Sequence, residues 1–138
     1  MFQDNYYLKS LDVSSFDTSK VTDMSEMFAG CENLIILDLS NFDTSNVTDM
    51  SNMFCGCSSL TSLNVSSFDT SKVTNMSYMF RDCSLLETIY VSNKWNTVSV
   101  TDSTDMFTGC TSLPGFDSTK IDASMANTNG GYLTLKSV

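Results

Sequence analysis

A period of 26 residues constrains this chain more than any other feature. Leu8, Leu34, Leu60 and Leu86 open successive units at that spacing, Phe16, Phe42 and Phe68 keep it, and so do Val21, Val47 and Val73. Met27, Met53 and Met79 follow, each with a Phe directly behind it, and Cys31, Cys57 and Cys83 close the units. A fourth unit carries one extra residue near Lys94, which shifts its marks to Trp95, Val100, Met106, Phe107 and Cys110. The consensus reads L-x-x-L-x-[VL]-S-x-F-D-T-S-x-V-T-D-M-S-x-M-F-x-x-C. One unit cannot bury its Leu, Val, Met and Phe alone, so units must stack and align like positions in internal ladders.

Each unit divides into three pieces. In Leu60–Val65, Leu63 and Val65 alternate as in a short half-buried strand. Phe68-Asp69-Thr70-Ser71 reads as a turn, because an Asp side chain can bond the backbone two residues on. Met76, Met79, Phe80 and Cys83 fall at i, i+3, i+4 and i+7, which predicts one apolar face of a short helix. Thr22, Thr48 and Thr74 are then candidate caps, Asp23 and Asp49 occupy the first turn, and Gly30, Gly56 and Gly109 stand at the stop. The expected fold is therefore an α/β repeat solenoid, a leucine-rich-repeat-like right-handed superhelix with four short parallel strands in one sheet and a short helix after each turn. The array is expected over residues 1–113, with units starting at 8, 34, 60 and 86. Met1-Phe2-Gln3-Asp4-Asn5 aligns with Met27-Phe28-Ala29-Gly30-Cys31, so the chain starts partway through a unit and its N-terminal end is expected to be covered by upstream sequence or another chain. Residues 114–138, with a turn at Asn129-Gly130-Gly131 and a strand at Tyr132-Leu133-Thr134-Leu135, are expected to form a C-terminal cap.

Acids outnumber bases 16 to 7, for a formal charge of −9, which repels phosphate backbones and argues against a nucleic-acid partner. No apolar run approaches the ~20 residues of a membrane span, and Phe2-Gln3-Asp4-Asn5 is not the start of a secretion signal. Histidine is absent, which removes the commonest general base and metal ligand. No catalytic residues, metal or cofactor are expected. The cysteines at 31, 57, 83 and 110 lie about one repeat apart, unlike the close-spaced pairs of zinc modules, and read as buried, reduced packing groups. Cys55 stands outside the apolar pattern. The row Asp17, Asp43 and Asp69 could hold a cation, but repeated turn chemistry is the simpler account. If extended, Thr18-Ser19-Lys20-Val21-Thr22 would align Thr18, Lys20 and Thr22 on one side, a flat threonine array that the lysines argue against.

The motif F-D-T-S-x-V-T-x-M-S-x-M-F, followed by C-x-x-L, resembles the BspA-like leucine-rich-repeat surface proteins. It is more similar still to bacterial and mycoplasmal surface-protein repeats described as a domain of unknown function. The likeness extends over roughly residues 1–113, and Lys120–Asn127 with Gly131-Tyr132 looks like the usual end of such arrays. It implies display outside the cell or on its surface and, in some members, adhesion to host proteins or other cells. It implies no catalytic residues and names no ligand.

Strand alternation turns Ser10, Asp12 and Ser14 outward, then Ile36, Asp38 and Ser40, then Ser62, Asn64 and Ser66, then Thr88, Tyr90 and Ser92. One outward row is all Ser and two vary. The varied residues Asp12, Ile36, Asp38, Asn64 and Tyr90 are the candidate ligand-binding positions, since repeat proteins bind through extended regular surfaces. Adhesion to a host extracellular-matrix protein or another cell-surface ligand is the expected function, with a structural spacer displaying another domain as the alternative.

Overall fold

A computed structural model of the 138-residue chain describes residues 1–136. The chain is mostly non-helical, and each repeat lies against the next. Among the described residues five short strands form: β1 (Ser10–Leu11), β2 (Ile36–Leu37), β3 (Ser62–Asn64), β4 (Thr88–Val91) and β5 (Leu133–Leu135). All pairings are parallel, as β1–β2 in one sheet and β3–β4–β5 in another. The single four-stranded sheet expected from the period is thus corrected to two small sheets. Leu11 pairs with Leu37 and Leu63 with Ile89, while no strand pairing joins β2 to β3 among the described residues. Continuity passes instead along another side of the repeats, where bridges link Asp23 to Asp49, Asp49 to Asn75 and Asn75 to Asp102. The strand expected over 132–135 forms at Leu133–Leu135.

The expected helices do not form. The only helical segment among the described residues is a 3-10 turn at Ala123–Met125. In the segment read as helical, alternate N–H groups point to the neighbouring repeat: Met50 donates to Asn75, Asn52 to Ser77, Phe54 to Met79 and Gly56 to Arg81, at 2.8–2.9 Å. The intervening Met53, Cys55 and Cys57 close three-residue-back turns onto Met50, Asn52 and Phe54. Tandem turns of this kind need left-handed residues, found at Glu26, Asn52, Tyr78 and Asp105 (φ 50–58°) and again at Gly30, Gly56, Asp82 and Gly109 (φ 60–82°). A segment of about ten residues is too short to gain much from helix propagation. Here the neighbouring repeat satisfies half of its N–H groups directly. The turns still place Met76, Met79, Phe80 and Cys83 inward, all fully buried, because their repeat happens to match a helical face.

The core is a set of ladders. Phe2, Phe28, Phe54, Phe80 and Phe107 stack with centroids 5.6–5.8 Å apart and planes within 6–11°. The cysteine ladder runs beside it: Cys57 Sγ donates to the Phe28 carbonyl at 3.2 Å, Cys83 to Phe54 at 3.1 Å and Cys110 to Phe80 at 2.8 Å. Phe42, Phe68, Val47, Val73, Leu34, Leu60 and Leu86 complete the interior. Burial fades toward the N-terminal end, where Leu8, Phe16 and Val21 are only half-buried.

Candidate functional site

The backbone bends at three places in each repeat, and in the first three full repeats each bend uses the same chemistry: an Asp or Asn accepts the N–H of the Ser two positions on. The fourth repeat keeps this at Asp102 with Thr104, but Ser92 accepts the Lys94 N–H and Asn96 the Val98 N–H at its other two bends. Asp12 Oδ1 takes the Ser14 N–H and hydroxyl at 3.0 and 2.6 Å, Asp17 takes Ser19 at 3.0 and 2.7 Å, and Asp23 takes the Ser25 N–H at 2.8 Å. Asp38 with Ser40, Asp43 with Ser45, Asn64 with Ser66 and Asp69 with Ser71 repeat the arrangement. These bonds favour the ionised form and hold the carboxyls of Asp12, Asp17, Asp38, Asp43 and Asp69 below the usual value. Asp23 and Asp49 therefore serve bends rather than helix starts, and Thr48 and Thr74 are not caps. Thr48 donates its N–H to the Thr22 carbonyl at 2.8 Å, and Thr74 to Thr48 at 2.9 Å, which continues a ladder on the outside.

Of the five candidate binding residues, Asp12, Asp38 and Asn64 each spend one side-chain oxygen on such a bend. All three remain exposed. A groove of about 270 Å³ runs between the first two repeats, bordered by Ser10, Asp12, Ile36, Asp38 and Asn41. Asp12 acts on Asp38 as a like charge and opposes the downward pull of Ser40. Ile36 is 66% exposed beside it. Tyr90 lies elsewhere. It pairs with Asn64 on one side and Thr134 on the other, is half-buried, and carries the Lys136 ammonium 4.8 Å from its ring centroid. The structure thus brings Asp12, Ile36 and Asp38 to one groove and leaves Tyr90 in the sheet that β5 completes. Exposed apolar groups not singled out from sequence, Tyr7 (92%), Tyr6 and Ile35, belong to the same early repeats as Ile36: Ile35 donates to the Lys9 carbonyl, and Asn33 donates its amide to the Tyr6 carbonyl.

Sequence reading also missed a set of hydroxyl clamps. Thr18, Thr44 and Thr70 are buried rather than aligned outward with Lys20 and Thr22. Thr18 Oγ1 donates to the Asp43 carbonyl at 3.0 Å and accepts the Asp43 N–H at 2.8 Å. Thr44 does the same to Asp69, and Thr70 to Asn96. In the tail Tyr132 takes over this role, accepting the Asp117 N–H at 3.0 Å and donating its one proton chiefly to the Lys120 carbonyl at 2.8 Å, with the Asp117 carbonyl further off at 3.3 Å.

The cysteines are free, with four buried and Cys55 partly so. Burial raises every thiol, that of Cys110 to about 12. Among the described residues no group of three or more Cys, Asp or Glu is placed to hold a metal ion, and no helix is long and apolar enough to cross a membrane.

Residues 1–120 match the model of a family described as "Mycoplasma protein of unknown function, DUF285". The chain belongs to that family. The DUF285 match spans the partial first unit, all four full repeats and the start of the tail. No curated protein and no solved structure matches the chain.

Proposed function

We propose that this DUF285 chain is a non-enzymatic recognition module displayed outside the cell, on a bacterial surface, where it binds a host extracellular-matrix protein or another cell-surface ligand. In this reading the repeats form a right-handed, leucine-rich-repeat-like solenoid without helices. Residues 1–113 are the array, and residues 114–138 close its C-terminal end. The observation that carries the proposal is a contrast between two sides of one strand. Inward, Leu11, Leu37, Leu63 and Ile89 barely change from repeat to repeat. Outward, Ser10, Ile36, Ser62 and Thr88 do change, and the preceding Lys9, Ile35, Thr61 and Glu87 change completely. A regular backbone holds these side chains at fixed spacing, so little order need be gained on binding. The groove with Asp12, Ile36 and Asp38 suits a ligand with an apolar stem and a basic or hydroxyl head, with affinity falling as salt rises. The carboxyls shifted by bends are all shifted downward, the wrong direction for a general acid at neutral pH.

The spacer reading draws support from the bends, whose Asp-or-Asn-to-Ser chemistry recurs at all three places through the first three full repeats. The two readings separate in one assay. The protein is passed over immobilised extracellular-matrix proteins and cell-surface glycans, beside a variant with Tyr7→Ser and Ile36→Ser, both at exposed positions. Binding that the variant loses supports recognition. No binding by the parent favours the spacer, and equal binding by both would place the recognition surface away from Tyr7 and Ile36.

A further inference from the structure

We propose that the corner of the last repeat around Trp95, Thr97 and Val98 is a docking site for an extended polypeptide segment that contains an aromatic residue followed by Asp or Asn. A cavity of about 480 Å³ opens there, and its walls include Asn93, Trp95, Thr97, Val98, Thr128 and Leu135. Among the described residues no charged one lines it. Val98 stands where the earlier repeats carry Ser19, Ser45 and Ser71, and it is 83% exposed. Leu135, on the other rim, is 57% exposed.

The reason for choosing a peptide lies inside the molecule. Thr97 follows Thr18, Thr44 and Thr70 in the repeat. Each of those hydroxyls grips the N–H and the carbonyl of a single residue in the next repeat: Asp43, Asp69 and Asn96 in turn. Each gripped residue follows an aromatic one, Phe42, Phe68 or Trp95. After Thr97 the expected successor would be Asp117 in the tail sequence Phe116-Asp117-Ser118-Thr119. Its N–H is held at 3.0 Å by the Tyr132 hydroxyl instead, which lies 3.3 Å from its carbonyl and donates to the Lys120 carbonyl at 2.8 Å. The tail therefore passes Thr97 by, and the Thr97 hydroxyl has no hydrogen-bond partner among the described residues. The cavity lies between the last repeat and the tail, on the side of the last repeat that carries Thr97, and it offers what one repeat offers the next: one hydroxyl able to donate and accept, beside an apolar shelf. An extended segment supplied by another polypeptide satisfies both functions of the hydroxyl and covers Val98 and Leu135. This proposal does not depend on the strand-face reading, because the residues concerned are different.

Trp95 is the only tryptophan in the chain, so its emission reports on this corner alone. The full 138-residue protein is titrated with acetyl-Ser-Asn-Phe-Asp-Thr-Ser-amide, the sequence of residues 40–45. A saturable change in Trp95 emission is expected. A peptide methylated on the Asp nitrogen loses the N–H that Thr97 accepts and should bind roughly threefold to tenfold more weakly, as should the parent peptide with Thr97→Val. Val98→Asp, at an exposed position that leaves folding intact, should abolish binding by placing a like charge beside the peptide's Asp. Ile36→Ser should change nothing. The methylated peptide uses the unaltered protein, so it decides the matter even where Thr97→Val perturbs folding. No saturable change would overturn the proposal. So would equal affinity for the parent and methylated peptides, or a response to neutral oligosaccharides in place of the peptide.

Discussion

The two ends of the repeat array are built to different standards. At the C-terminal end, the stack of parallel phenylalanines meets Tyr132, whose ring stands edge-on to Phe107 at 5.1 Å and 83°. That ring ends the stack, and its hydroxyl ties the Asp117 bend to the same place. At the N-terminal end the stack ends on Phe2, which is half-buried, and Phe16 and Val21 line an open cavity of about 350 Å³ with Met1, Met24 and Met27. Residues 1–5 cover one side only: Phe2 donates to the Met27 carbonyl and Asp4 to the Ala29 carbonyl. No donor among the described residues meets the Asp23 and Ser25 carbonyls, whose counterparts Asp49 and Ser51 accept Met24 and Glu26. The difference shows what a repeat needs from its neighbour. It requires an apolar lid, partners for alternate backbone groups, and a hydroxyl for the Asp bend.

The sharpest test removes rings along the stack. Phe54→Ala, in the middle, should cost about 3–5 kcal/mol through the cavity it leaves. Phe107→Ala should cost a similar amount if Tyr132 seals the end as described, and Phe2→Ala much less. Chemical unfolding of the three variants checks this. Equal losses at Phe2 and Phe107 would remove the asymmetry between the ends.

Much of this was legible in the sequence, and the parts that were not were hidden for separate physical reasons. The period, the inward ladders and the Asp bends follow from spacing and side-chain chemistry alone. The helix did not survive because Met-x-x-Met-Phe-x-x-Cys fits a helical face and a series of tight turns equally well. What separates them is the left-handed backbone at Glu26, Asn52 and Tyr78, where Glu and Tyr carry no such signal and Asn only a weak one. The Thr18, Thr44 and Thr70 clamps were hidden for another reason. Their partners lie 25 or 26 residues away, so reading each turn by itself could only suggest an outward threonine row. Asp12, Asp38 and Asn64 were singled out because they vary beside a strand. Their bonds to the N–H groups of Ser14, Ser40 and Ser66 show that they also serve the bends.

Next in size is the loss of the Tyr132 hydroxyl. Tyr132→Phe keeps the ring against Phe107 but leaves the Asp117 N–H and carbonyl without their clamp. A loss of about 1–2 kcal/mol is expected. The drop should be confined to the C-terminal end, where hydrogen exchange of the tail amides should rise while that of the central repeats stays constant. Uniform loosening of the whole chain would mean the tail is not a separate closure.

Thiol reactivity compares the ends without any substitution. Cys55 is partly exposed and should label first with a thiol reagent on the native protein. Cys31, whose outer neighbour is only the segment containing Phe2, should follow. Cys57, Cys83 and Cys110 should react slowest, since burial strongly disfavours their thiolates. Cysteine mapping by mass spectrometry at successive times gives the order. Faster labelling of Cys110 than of Cys31 would reverse the assignment of open and closed ends.

The smallest effect expected is a gradual one with acid. Hydrogen bonds from Ser or Thr lower the carboxyls of Asp12, Asp17 and Asp23 near one end and of Asp117 and Asp122 near the other. A carboxyl lowered in the folded state binds its proton more readily when unfolded. Its contribution to stability is therefore present above the unfolded value of about 4 and is lost as pH falls through the folded value. With no histidine in the chain, side-chain titration gives little reason for stability to change between about pH 5 and 7. Below about pH 4 the denaturation midpoint should fall. The ends should differ here too. The Asp117 bend keeps its Tyr132 clamp when its carboxyl is protonated, whereas the Asp17 bend has no hydroxyl on its backbone among the described residues and relies on Ser19 alone. Amide exchange followed as pH is lowered should therefore show the bend at Asp17 opening before the one at Asp117. Simultaneous opening would mean that the clamp adds nothing to the bend, and a midpoint unchanged down to about pH 3 would mean that the bends are not held by ionised carboxylates.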